Sequence, residues 1–73
     1  MDIGQLRYLV EKARDSEDAY HRMSRREKVL VALLLNRLDL LNTPVALALG
    51  RCDGTSIRAM LTVAEQLADE ELL

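Results

Sequence analysis

Cys52, His21 and Asp53 are the residues whose types could work together chemically, as a thiol, an imidazole and an orienting carboxylate. Nucleophilic catalysis needs the base within hydrogen-bond reach of the thiol and the acid behind the base. Nothing in the spacing of His21 and Cys52 requires them to meet, and a single Cys usually acts as a small core residue. The stretch "GRCDGTS", from Gly50 to Ser56, has the glycines of a phosphate loop but lacks the Lys that follows the second Gly in a Walker sequence. One Cys with one His supplies no structural zinc set, and a lone Cys closes no internal disulfide. A catalytic site also needs an enclosing pocket, which a helical chain of 73 residues can hardly build. The expectation is a non-enzymatic protein without metal or cofactor.

Charge is more informative. The chain carries a net charge of −2, but unevenly: Arg22, Arg25, Arg26 and Lys28 form one basic cluster, while no basic residue follows Arg58, and Glu65, Asp69, Glu70 and Glu71 crowd the end. Arg25 and Arg26 fall in the first turn of a helix, where the macrodipole disfavours positive charge. Something acidic should compensate, either the end of the last helix, within the chain or across a dimer, or an acidic partner protein. The four basic residues are therefore a candidate partner-binding site.

These residues need elements to position them, and the periodicity is helical throughout. Asp2 with Gln5 starts a helix whose apolar face carries Ile3, Leu6, Leu9, Val10, Ala13 and Tyr20. Its outer face pairs Arg7 with Glu11 and Arg14 with Asp18, and shows Tyr8 as a minor contact point. "SRRE", from Ser24 to Glu27, is a capping box that starts a second helix. Thr43 and Pro44 start a short third helix that stops at Gly50. Asp53-Gly54 then reads as the bend, with Thr55 or Ser56 capping a fourth helix. The predicted fold is all-α, a single four-helix domain over 1–73, with three longer helices at about 3–21, 25–41 and 56–71 and a short one at about 44–49.

"VALLLNRLD" from Val31 recurs in part as "VALALGRCD" from Val45. Pro44 prevents one continuous helix, and two copies are too few for a solenoid. The recurrence reads as two helix bodies rich in Leu, Ala and Val, a composition in which matches arise easily. On a helical wheel the apolar residues from Val29 to Leu41 spread over roughly 240°, against the ~100° stripe of a surface helix. Lys28, Ala32, Asn36 and Asp39 form the polar strip. A helix so apolar asks for cover that a domain this small lacks, so self-association as a dimeric bundle is expected through Leu30, Leu34, Arg37, Leu38 and Leu41. Arg37 would contribute an interface salt bridge.

Helix three, a turn and helix four also resemble a helix-turn-helix over 44–62, which would set Arg51, Thr55, Ser56, Arg58 and Thr62 against DNA. Ile57 comes one residue too late after Gly50 for that motif, and the acids of helix four would repel a polyanion. The favoured function is a small self-associating accessory or inhibitor protein of bacterial or mobile-element type, binding a macromolecule in the cytoplasm. A dimeric DNA-binding regulator is the alternative. The start lacks the layout of a secretory signal, and the apolar run from Val29 to Leu35 is too short to span a bilayer, so no membrane is expected.

Overall fold

A computed structural model describes residues 2–70. Its elements are α1 (Ile3–Asp15), α2 (Glu17–His21), α3 (Arg25–Leu34), a 3₁₀ turn (Leu38–Leu40), α4 (Val45–Gly50) and α5 (Gly54–Asp69). The fold is all-α, with no strand among the described residues and no helix long and apolar enough to cross a membrane. α1, α3 and α5 pack around a core of Leu6, Val10, Leu30, Val31, Val63 and Leu67, all fully buried.

The expected helix over 3–21 is two helices, because Ser16 serves as the end of one and the start of the next. Its backbone is extended (φ −150°, ψ 121°), its N–H donates to the Lys12 carbonyl, and its hydroxyl accepts from the Ala19 N–H. Glu17 and Asp18 then occupy the first turn of α2, where negative charge suits the helix dipole. The chain changes direction there, yet Tyr20 still reaches the core with 4% of its surface exposed. Arg7 and Glu11 make the expected pair at 3.5 Å. Arg14 and Asp18, on opposite sides of the break, do not pair.

The Ser24 capping box is present in full: Glu27 N–H donates to Ser24 Oγ at 3.2 Å and Ser24 N–H donates to Glu27 Oε1 at 2.9 Å. The helix it starts ends much earlier than the expected residue 41. Asn36 takes a left-handed conformation (φ 55°), its N–H donates to the Leu33 carbonyl, and the Arg37 N–H donates to the Ala32 carbonyl. This pair of bonds is a Schellman cap, with Asn in the position that glycine usually holds.

The short α3 changes the account of the apolar surface. Leu38, Leu40 and Leu41 leave the helix wheel: Leu38 is half exposed, while Leu40 and Leu41 pack against the core from the loop. Leu30 and Leu34, expected at a self-association interface, are buried within their own chain. Ala32, expected on the polar strip, is fully buried as well. Val29 to Leu35 alone span the roughly 240° arc, so the early stop does not narrow it. Leu30, Val31 and Leu34 are buried against α1, α2 and α5, while Val29, Leu33 and Leu35 are half-buried.

The first copy of the Leu-rich stretch covers the end of α3 and the turn after it, and the second covers the whole of α4 and the turn after it. Their Asp residues have different tasks: Asp39 lies in the 3₁₀ turn, and Asp53 caps α5 by accepting from the Ser56 N–H at 2.7 Å. Asp53 therefore takes the capping role expected of Thr55 or Ser56, and Gly54 is the first helical residue rather than half of the bend. α5 lies against α1 and α3 through Ala59, Met60, Val63 and Leu67.

Candidate interaction site

Two turns of chain, far apart in sequence, bring basic side chains to one groove. The Ser24 cap starts α3 so that Arg25, Arg26 and Lys28 stand on its first turns. The end of α4 places Arg51 on the facing wall, in the turn that leads into α5. Between them is a groove of about 720 Å³, floored by Tyr20, Val29, Leu40, Leu41 and Ala48 and edged by Asn42, Thr43 and Cys52. No carboxylate among the described residues lines it. Among the described residues, none lies within salt-bridge distance of Arg25, Arg26, Lys28 or Arg51.

The cations are held loosely. Lys28 Nζ sits 5.9 Å from the centre of the Tyr20 ring, a cation–π contact that leaves its hydrogen-bond donors available. Arg26 acts on Cys52 and Asp53 through its charge alone, favouring the ionised form of each. Burial, aided by the negative Asp53, nevertheless pushes the Cys52 thiol up from its ordinary range, so it stays protonated. The thiol donates to the Ala48 carbonyl at 3.4 Å. His21 is exposed and meets the edge of the Tyr20 ring at 5.5 Å, and no hydrogen bond joins it to Cys52 among the described residues.

The remaining candidate residues scatter. Arg22 is exposed at the end of α2, outside the lining of the groove. Arg37, expected in an interface salt bridge, binds both oxygens of Asp39 at 3.0 Å and approaches Glu17 at 4.0 Å, all within one chain. That pairing holds the Asp39 carboxyl below the usual range. Leu41 lines the groove floor. Of the residues expected to face DNA, Thr55 and Arg58 are exposed and Thr62 half-buried, but Ser56 is 2% exposed and faces inward.

Among the described residues, the acids at the end of α5 do not pair with the basic cluster. Glu70 pairs with Arg7, which also donates to Gln66 at 3.2 Å and so ties the end of α5 to α1. The guanidinium of Arg7 pulls the Glu70 carboxyl below its ordinary range. Glu71 lies outside the described residues.

A second groove of about 710 Å³ lies between α3 and α5 and is mainly apolar. Leu33, Leu35, Leu49, Met60 and Leu61 line it, and Leu34 closes its floor. This is where the apolar surface of α3 that its own chain leaves uncovered is found. Comparison with known proteins gives no match to a protein family, to a curated protein or to a solved structure.

Proposed function

We propose that the protein is a non-enzymatic interaction module that binds an acidic macromolecular partner in the groove between the start of α3 and the α4–α5 turn. One observation carries this reading: Arg25, Arg26, Lys28 and Arg51 surround a single groove with no carboxylate in its lining among the described residues, in a chain of net negative charge. Collecting like charges without partners costs stability, and an anion bound there relieves it. The apolar floor suits a protein partner, since interface centres are apolar and arginine is enriched around them. An accessory or inhibitor protein working in the cytoplasm accords with this design, because the free thiol of Cys52 suits a reducing compartment.

Titration of a fluorescent Glu-rich peptide, followed by anisotropy, tests the proposal. Binding should weaken steeply with salt and fall at least tenfold in Arg25→Glu/Arg51→Glu, while a Lys-rich peptide should not bind. No binding of the Glu-rich peptide at low salt refutes it.

Duplex DNA in the same assay tests the regulator reading. The three-residue turn Arg51, Cys52 and Asp53 between α4 and α5 favours it, as helix-turn-helix units use turns of three to four residues. Against it, the outward side of α5 carries Glu65 and Asp69, and Ser56 is buried. DNA bound more tightly than the peptide, with loss in Arg51→Ala/Arg58→Ala, would favour the regulator.

A further inference from the structure

The outward stripe of α5 has the opposite character to the groove. Taking 100° per residue, Ala68, Leu61, Glu65 and Asp69 fall within about 100° of one another on that helix. All four are exposed, Leu61 at 55%. Neither Glu65 nor Asp69 has a cation within salt-bridge distance among the described residues. One chain thus carries an unpaired basic groove with an apolar floor and an unpaired acidic stripe with apolar members.

The two cannot meet within one molecule. α5 is a continuous helix whose cap, Asp53, adjoins the groove edge at Arg51 and Cys52. At 1.5 Å per residue, Glu65 lies about 18 Å and Asp69 about 24 Å along the helix from that cap. The Arg7 ties to Gln66 and Glu70 hold the acidic end against α1. The molecule measures 29 × 27 × 19 Å, so the groove and the acidic stripe lie nearly a full molecular dimension apart.

We infer that the groove receives the acidic end of α5 from a second copy of this chain, in a head-to-tail contact. The inference rests on the groove reading above and names its occupant. Glu65 and Asp69, one turn apart, meet the rim cations Arg25, Arg26 and Arg51. Leu61 and the small Ala68 turn toward Val29, Leu40 and Leu41 on the floor. Such a contact joins two different surfaces, so it grows into a ring or an open chain rather than closing as a self-complementary pair. Arg58 falls within the same stripe but close to the start of α5, two turns before Glu65, which leaves the acidic half to enter the groove.

Sedimentation of the full chain and of two surface variants tests this. Arg25→Glu/Arg51→Glu spoils the groove and leaves the stripe; Glu65→Arg/Asp69→Arg does the reverse, and all four side chains lie outside the core. At low salt the unaltered protein should exceed the mass of one chain increasingly with concentration. It should return to one chain in about 0.5 M salt, where screening acts within about 4 Å. Each variant alone should stay at one chain, and an equimolar mixture should associate, because the intact groove of one variant meets the intact stripe of the other. Circular dichroism confirms that each variant is folded. A single-chain mass for the unaltered protein at millimolar concentration and low salt overturns the inference, as does a mixture that fails to associate. The Glu-rich peptide is also titrated into Glu65→Arg/Asp69→Arg, whose groove is intact. Peptide binding there without self-association of the unaltered protein sinks the head-to-tail contact and leaves the groove reading standing; loss of both sinks both.

Discussion

At Asn36 the backbone enters the left-handed region, the single non-glycine residue among those described to do so, while the glycines at 50 and 54 sit in helices with ordinary negative φ. A side chain with a Cβ in that region costs roughly 1–2 kcal/mol, and Asn tolerates it best of the residues that have one. Asn36→Gly should therefore be neutral or slightly stabilising, and Asn36→Ala should cost about 1 kcal/mol in urea unfolding. Gly54 offers the converse test. A Cβ placed on it meets open space, so Gly54→Ala at the start of α5 should stabilise by roughly 0.4–1 kcal/mol by restricting the unfolded chain. Reading Gly54 as the bend gives the opposite result, a loss on replacement by Ala.

At the scale of elements, the sequence disclosed starts better than stops. Asp2 and the Ser24 capping box are visible because the cap residue and its partner lie within three positions of each other. The ends at Ser16 and Asn36 were hidden because apolar residues continue past both in helical spacing, and a single polar residue between them resembles an exposed position. The Asn36 stop removes Leu38 and Leu41 from the helix, while packing against α1 and α5 turns Leu30 and Leu34 inward. Of the site, the basic cluster on α3 was legible and Arg51 was not assigned to it, because only the fold brings the α4–α5 turn across from α3. Two leucines separate the interface reading of this helix from the core reading. Leu34→Glu buries an unpaired charge at a position 5% exposed and should unfold the chain, by the several kcal/mol expected for such a change. Leu38→Glu, at 50% exposure in the 3₁₀ turn, should change stability by less than about 0.5 kcal/mol. Equal effects, or dissociation without unfolding in Leu34→Glu, would restore the α3 interface.

For the molecule as a whole, the question is whether the chain completes its core alone or folds only with a companion. A chain of this length hides only about 60% of the surface its unfolded form exposes, which is why its sequence suggests an obligate dimer. Among the described residues α3 ends at Leu34, and Leu40 and Leu41 after it pack against the core. Six large side chains, two each from α1, α3 and α5, lose all contact with solvent inside one chain. Such a core is expected to form within one chain, and the head-to-tail contact inferred above uses charged surface outside it. The two kinds of association respond differently to dilution. An obligate dimer gains about 2.7 kcal/mol over a hundredfold rise in concentration, which moves its melting midpoint by roughly 5–10 °C for a unit of that size. In about 0.5 M salt, where the charged contact is screened, the midpoint of this protein should stay constant across that range. A rise of several degrees would mean that the core is shared between chains after all.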